Sequence, residues 1–298
     1  MALAPDGGRI AWFVRRHPTH LLSSAALSHA LPKVGPFRGL NICKLAAFAE
    51  FVTWAWGFVL MDRFVAKLRS RQALNEEDEK LLREAGWIQR RYARHEVIVR
   101  AGQSLDQCHL LLNGFTARAH VDSAGERQIV GIGVAGDLLD IHGAVLGKLD
   151  QDIIALSPCD VASLAHDRLK ELTRASAAIQ KIFWLQAAIE YSIQSAWVQA
   201  LGTKRGTAKV AHIFCELQLR LALVGIATQM GFPVPMSQQE LADYAGMTHV
   251  HLNRCLRELR ESGLISFAQG WARVLDWKEL KRLARFDENY LNLRLIEV

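Results

Sequence analysis

The sequence predicts an α+β protein with three parts: an antiparallel β-roll, a long helix and a C-terminal winged helix-turn-helix. Three observations predict it. Within residues 61–174, short apolar runs alternate with turn signals such as "NG", "SAGE" and "AGD", a pattern typical of short antiparallel strands. Residues 175–201 contain neither proline nor glycine. Residues 202–298 contain two short capped helices around Gly246, followed by a strand pair.

Composition limits the class of protein. The chain has 298 residues, 50% of them hydrophobic and 22% charged, which is typical of a globular protein with more than one domain. The net charge of +6 is compatible with a nucleic-acid partner without establishing one. The number of cysteines is odd and none forms a C-x-x-C pair, which argues against a disulfide framework or a structural zinc site. We expect reduced cysteines in a cytoplasmic protein without a bound metal.

Residues 1–60 differ from the rest and form a poorly defined extension. Near their end begins "KLAAFAEFVTWAWGFVLM", an apolar run that ends at Met61 and that Lys44 and Glu50 interrupt. Three interpretations compete for residues 42–61: a membrane tether, a helix packed on the body, or translated sequence upstream of a true start at Met61. The last interpretation is favoured because the next residues read as an amphipathic helix and a second helix capped at Asn75. Membrane contact is expected only if the extension is genuine.

The β-rich part is predicted to contain at least six short strands. Turn signals at "NG", "SAGE" and "AGD" separate them, and "QDIIALSPCDVASLAHDRL" supplies the last two. This is typical of a small antiparallel roll or barrel. A small β-sandwich has the same periodicity, so the pattern leaves that alternative open.

A long helix is predicted over 175–201, after a short helix over 166–173. Its apolar residues follow a 3-4-3-4 spacing typical of a coiled-coil seam, which favours a dimer interface over burial within one subunit. Gln186 is the polar seam residue and would set the register, while Phe183, Trp184 and Trp197 are expected to pack on the roll. The predicted interface consists of Ile179, Ile182, Gln186, Ile189, Ile193, Ala196 and Ala200.

The helix-turn-helix is predicted from local signals. Ser237 and Glu240 have the spacing of a capping box, and Gly246 is suited to the left-handed turn that ends the first helix. Thr248 caps a second helix, which Gly263 ends. The segment "SFAQGWARVLD" then predicts the two strands of a wing.

Polar residues lie at the start of both helices and along the front of the second. Such a helix fits the major groove of DNA, where its first residues reach base edges, and helix starts bind phosphate. A hairpin that only packs is the alternative, which the agreement between caps, turn, polar front and wing disfavours. The candidate DNA-binding residues are Ser237, Gln238, Gln239, Thr248, His249, His251, Asn253, Arg254 and Arg257.

The order of these parts resembles the Crp/Fnr superfamily of bacterial transcription regulators from Met61 onward. The most specific match is "LADYAGMTHVHLNRCLRELRESGLI". The resemblance implies a homodimer that binds near-palindromic double-stranded DNA and contacts RNA polymerase. It also implies that the roll is a cyclic-nucleotide-binding-like jelly roll. Arg254 falls on the recognition-helix arginine of the family, whereas Val250 falls where a glutamate is frequent, so the operator is expected to differ.

The effector pocket implied by the resemblance is degenerate. In "GDLLDIHGAVLGKLDQDIIAL", Asp140 and Ile141 replace the Gly-Glu pair that holds ribose, and Asp150 and Gln151 replace the Arg-Ser pair that holds the cyclic phosphate. A carboxylate beside a phosphate is repulsive, so neither cAMP nor cGMP is expected to be the effector. The four-cysteine arrangement of iron–sulfur members is absent. No cofactor is predicted, and the effector is unknown.

An enzyme built on the roll is the remaining alternative. The glycines of "GIGVAG" at 131–136 are a weak phosphate-loop match without the strand-to-helix context that such a loop needs. Asp137, Asp140 and His142 suggest a metal site that no further ligand supports. We therefore predict no catalytic residues. A haem ligand stays an open alternative to hydrogen-bonded histidines at His95, His109, His120 and His142.

Overall fold

The computed structural model describes residues 61–121 and 127–293. The extension 1–60 lies outside these residues, so the predictions of a membrane tether and of a start at Met61 stay predictions. Within the described ranges, no helix is long and apolar enough to cross a membrane.

Two helices precede the β-rich part. The first, α1, includes residues 61–69 and buries Phe64 and Leu68 completely. The second, α2 (Glu76–Arg83), begins at the predicted cap, where the Asn75 side chain accepts a 2.7 Å hydrogen bond from the Asp78 backbone. Four acidic residues in its first turn complement the helix dipole.

The β-rich part contains the antiparallel strands β1 (Ile88–Tyr92), β2 (Val97–Val99), β3 (Gln107–Asn113), β4 (Phe115–Val121), β5 (Arg127–Val134), β6 (Asp152–Ala155) and β7 (Cys159–Ala165). They form two sheets, in the orders β1-β7-β3 and β2-β6-β4-β5, which confirms the predicted roll. Buried residues on the inward faces of the strands fill its interior. A single-turn helix, α3 (Gly143–Leu146), lies between β5 and β6.

Helices α4 (His166–Ala175) and α5 (Ala177–Thr203) follow the roll. The Ser176 side chain caps α5 by accepting from the Ile179 backbone, which separates the two helices close to the predicted boundary. Phe183 and Trp197 are buried, but the Trp197 ring, which was expected to pack on the roll, stacks at 4.4 Å on that of Tyr244 in the C-terminal domain. Trp184, also expected to pack on the roll, is 68% exposed instead.

The predicted dimer seam on α5 is wrong for six of its seven residues, because the chain buries them itself. Five of them are apolar and pack in the two largest clusters of buried residues, which include residues of the roll and of the C-terminal domain. Gln186 is also buried and accepts a 3.3 Å hydrogen bond from Arg71 on the α1 side. Only Ala196 is partly exposed. The 3-4 spacing therefore marks an intrachain packing face. The six buried residues are Ile179, Ile182, Gln186, Ile189, Ile193 and Ala200.

The C-terminal domain begins with α6 (Gly206–Ala222), whose inward face is buried. The helix-turn-helix and the wing follow. The elements are β8 (Phe232–Pro233), α7 (Gln238–Ala245), α8 (His249–Glu261), β9 (Ile265–Ala268), β10 (Trp271–Val274) and α9 (Trp277–Ala284), with a 3₁₀ turn at Glu288–Leu291. The wing strands form a sheet in the order β8-β10-β9, and α9 packs on α6.

Candidate nucleic-acid interface

The start of α7 has the predicted capping box. The Ser237 hydroxyl accepts a 3.1 Å hydrogen bond from the Glu240 backbone, and the Glu240 carboxylate accepts a 2.7 Å bond from the Ser237 backbone. The helix ends at Gly246, whose φ of 58° and ψ of 49° place it in the left-handed region. A Cβ is disfavoured in that conformation, so glycine permits the tight turn. Thr248 then caps α8 by accepting from the His251 backbone at 3.3 Å.

The back of α8 fixes its orientation. Leu252, Cys255, Leu256 and Leu259 are all buried and pack into the core that α6 and α7 share. Burying one side of the helix turns the opposite side to solvent. The structure thus separates a packing face from a free front, as the sequence predicts.

The front of α8 carries its exposed polar residues. His249, Arg254 and Arg257 are exposed, and Asn253 is half-exposed. The side chain of Arg254 is 60% exposed and its Nε lies 3.8 Å from Glu258, which is a weak surface pair. Its guanidinium is therefore available to a partner.

The start of α7 and the front of α8 form one continuous polar surface. The Gln238 side-chain oxygen lies 2.9 Å from Nε2 of His249, which in turn lies 3.3 Å from the Asn253 amide. Gln239 bonds within α7 to Asp243. The structure therefore brings the predicted phosphate-binding and base-reading residues together, with one exception.

His251 is that exception. Helical spacing puts it on the flank opposite to His249 and Asn253. It is half-buried, and its ring lies 3.1 Å from the position that a Cβ on Gly206 would occupy. We therefore place His251 in the contact between α8 and the start of α6 rather than on the front.

The wing forms a tight hairpin beside this surface. Gln269 and Gly270 both have positive φ, at 51° and 74°, which is the geometry of a two-residue hairpin turn. Trp271 donates its ring N–H to the Met230 carbonyl at 3.1 Å and remains half-exposed.

The predicted effector region of the roll is occupied by the chain's own contacts. Asp140 is completely buried and accepts two hydrogen bonds from His109, from its backbone at 2.7 Å and its Nδ1 at 2.6 Å. Ile141 is buried, whereas Asp150 is exposed. The predicted residues thus do not form one set of ligand-facing side chains.

A buried ion network connects the roll to the C-terminal domain, and sequence reasoning did not find it. Asp137, in the turn after β5, pairs with Lys67 of α1 and, at 2.7 Å, with Arg220 of α6. Arg220 also donates to the Ile132 carbonyl at 2.8 Å and pairs with Glu216 at 3.0 Å. Burial raises the pKa of Asp137, but Lys67 and Arg220 outweigh it and hold that pKa well below its usual value.

A sequence signal for this network was present. Arg220 interrupts the apolar face of α6 four residues after Glu216, and a charge on a buried stripe requires a partner. The partner is 83 residues away in the chain, so the pattern of α6 alone does not identify it. The same network pairs the Asp137 carboxylate with two cations, so its burial needs no bound metal as an explanation. Within the described ranges, no cluster of side chains is arranged to hold a metal ion.

Helix α7 also docks on the roll. Arg94, in the turn between β1 and β2, pairs with Glu240 at 2.8 Å. Arg127 of β5 pairs with Asp243 at 2.8 Å, and Gln128 donates to the Asp243 carbonyl. These contacts leave the start of α7 and the front of α8 free while fixing the module against the roll.

Comparison with known proteins agrees with both halves of this architecture. Residues 89–176 match the model of the cyclic nucleotide-binding domain, and residues 208–283 match that of the Crp-like helix-turn-helix domain. The transcriptional regulatory protein btr of Bordetella pertussis is 27% identical over 165 residues, which cover 54% of this chain and 66% of that protein. The chain belongs to the Crp/Fnr family.

Further comparisons agree with the assignment of this chain to the Crp/Fnr family. The nitrogen fixation regulation protein FixK of Bradyrhizobium diazoefficiens is 30% identical over 163 residues, covering 54% of this chain and 66% of that protein. The chain spans about two thirds of the length of each of these two relatives. In fold, it is similar to the structure of FixK2 from Bradyrhizobium japonicum, with a TM-score of 0.59, 20% identity and coverage of 66% and 96% of the two chains.

The family models leave α5 uncovered. They end at residue 176 and resume at residue 208, so the long helix and the connection to α6 are described by this chain's own geometry. Val250, which falls where the resemblance implies a glutamate, is 78% exposed on the front of α8. This Crp/Fnr chain therefore presents an apolar side chain to solvent at that position.

Proposed function

We propose that the chain acts as a cytoplasmic homodimer that binds a near-palindromic DNA site and regulates transcription there. The observation that carries the proposal is the front of α8: polar residues exposed on a capped helix whose back is buried. The proposal includes a contact with RNA polymerase.

In this proposal α8 enters the major groove. Arg254 reads a guanine edge by two hydrogen bonds, and Asn253 and His249 reach neighbouring bases. The helix start at Thr248 and the capped start of α7 bind the phosphate backbone. Val250 contributes an apolar contact, for which a thymine methyl group is the matching base feature.

The proposed dimer interface is the exposed face of α5. Trp184, Tyr191 and Val198 recur every seven residues and are 68%, 75% and 67% exposed. The small residues Ala188 and Ser195 lie between them and are also exposed. This is a heptad seam that faces away from the chain. A partner helix on this seam would give a two-fold dimer with half-sites about one helical turn apart.

We infer that neither cAMP nor cGMP is the effector. The Asp140 carboxylate already accepts hydrogen bonds from His109. Asp150 falls near the position of the arginine that would hold the cyclic phosphate. The roll would instead act on the DNA-binding module through the Asp137–Arg220 network and the contacts of Arg94 and Arg127 with α7. Adding cAMP is expected to leave the affinity for DNA unchanged.

The test uses a duplex selected from random DNA by the full chain. Arg254→Ala is expected to lose about 1–3 kcal/mol of binding free energy per contact, or roughly 5- to 150-fold, measured by fluorescence anisotropy. Binding to unrelated DNA should change much less, because it depends on phosphate contacts. Arg91→Ala is the matched control, since Arg91 is exposed on β1 of the roll. Unchanged specific binding by Arg254→Ala would contradict the proposal.

A further inference from the structure

A cavity of about 430 Å³ opens beside α5, next to the connection that leads into α6. One wall is α5, and the other is the segment that follows α9. Most of the lining residues are polar. The lining residues are Tyr191, Ser192, Ser195, Ala196, Gln199, Lys204, His212, Arg285, Asp287, Asn289 and Tyr290.

Two cations meet in this cavity. The Lys204 ammonium donates to the Arg285 carbonyl at 3.1 Å. Burial and the neighbouring Arg285 charge lower the pKa of Lys204. Within residues 61–121 and 127–293, neither cation has a carboxylate within 4.0 Å, although Asp287 lies in the same lining. An anion would relieve this repulsion.

His212 adds a buried polar atom without a partner. Its Nδ1 has no hydrogen-bond partner among the described residues. Its Nε2 lies 3.3 Å from the Tyr290 hydroxyl, which donates to Glu216 at 2.8 Å. Because that hydroxyl proton points to Glu216, Nε2 carries the proton and Nδ1 is left as an acceptor. Burial, followed by the Lys204 charge, lowers the pKa of His212 to about 4, so the ring is neutral at pH 7.

We propose that this cavity binds a small polar organic anion. Its carboxylate or phosphate group lies between Lys204 and Arg285, and its hydroxyl or amine groups donate to the Asp287 carboxylate. Gln199 and Asn289 supply further hydrogen bonds to a ligand of this class. The cavity volume is in the range of small-molecule sites.

The position of the cavity gives the ligand a regulatory consequence, which rests on the proposed function. Lys204 lies between α5 and α6, and Arg285 belongs to the DNA-binding domain. Tyr191 and Ser195 of the lining also lie on the proposed dimer seam, so in the dimer the partner helix would pack against that edge of the cavity. A bound anion would therefore tie the DNA-binding domain to α5 and restrict the orientation of α8. A ligand that binds one orientation better shifts the population toward it.

Binding is tested on the full chain by isothermal titration calorimetry with three probes: inorganic phosphate, succinate and malate. At least one is expected to bind saturably. Lys204→Gln and Arg285→Asn should each weaken it at least tenfold; asparagine tolerates the left-handed backbone of Arg285, whose φ is 43°. Arg91→Gln is the charge-matched control and should bind like the unmodified chain. Absence of binding by all probes, or undiminished binding by both cavity variants, would overturn the site. Phosphate and carboxylate are distinguished by which probe binds.

Regulation is tested by anisotropy on the selected duplex at constant ionic strength. The binding probe should change the DNA affinity of the unmodified chain and of Arg91→Gln, and leave that of Lys204→Gln unchanged. If the probe changes the DNA affinity of Lys204→Gln by the same factor as that of the unmodified chain, the inference is overturned, because the probe would then act elsewhere than at Lys204. A chain that binds the anion but no DNA would contradict the proposed function while supporting the site.

Discussion

The two faces of α5 have the same spacing but different surroundings. One face buries Ile182, Ile189 and Ile193 under the roll and the C-terminal domain, and the other exposes Trp184 and Tyr191. Both repeat at alternating intervals of three and four residues. A heptad seam read from one sequence therefore does not say whether its partner belongs to the same chain. The aliphatic face packs within the chain, and the face with two large aromatic residues is the one that we propose for contact with a second copy.

The largest expected loss of stability comes from shortening a side chain on the buried face of α5. Ile182→Ala removes a side chain that is 1% exposed and leaves a cavity, which costs about 2–5 kcal/mol of the free energy of unfolding. Urea unfolding followed by circular dichroism measures it. Val198→Ala on the exposed face is the control and should cost under about 0.5 kcal/mol in the isolated subunit. Equal losses of unfolding free energy for the two variants would contradict the difference in burial between the two faces.

The exposed face is expected to control assembly. Replacing both Trp184 and Tyr191 by alanine should weaken the dimer by at least about 2 kcal/mol, or roughly 30-fold, because large aromatic residues dominate interface energies. Sedimentation equilibrium measures the change. The variant should unfold like the unmodified subunit under conditions where both are monomeric. A dimer of unchanged strength would show that copies of the chain meet elsewhere.

A smaller effect concerns His212, whose ring lies 5.8 Å from that of Trp197 on the buried face. The folded chain has the lower pKa, about 4 against an ordinary 6.5. Protonation therefore favours the unfolded chain, and stability is lost as pH falls from about 6.5 to about 4. The loss is about 1–3 kcal/mol. His212→Gln should flatten the unfolding free energy over this range, while Asp137 and the other carboxylates still titrate at lower pH. An unchanged slope would contradict the buried, neutral His212.

Local signals were sufficient to predict the helix-turn-helix. The capping box of Ser237, the turn at Gly246 and the cap at Thr248 act over three or four residues, so their spacing is visible in the sequence. The hairpins of the roll were predictable for the same reason. His251 was misplaced because half-exposed residues on the two flanks of α8 look alike without knowledge of the helix that packs beside them.

Long-range contacts were not predictable. The pairing of Asp137 with Arg220 joins positions 83 residues apart, and the meeting of Lys204 with Arg285 joins positions 81 residues apart. Each charge has an ordinary surface interpretation in its own segment. The same limit applied to α5, because the choice between its faces depends on which one the roll and the C-terminal domain cover.

The most direct test of the account is selection of binding sites from random duplex DNA by the full chain and by Arg254→Ala in parallel. The account predicts a near-palindromic motif for the unmodified chain, with half-sites about 10 base pairs apart and a guanine in each. The Arg254→Ala motif should lose the preference for that guanine while keeping the others. A motif without two-fold symmetry, or one that Arg254→Ala leaves intact, would contradict the assignment of α8 as the reading helix of a dimer.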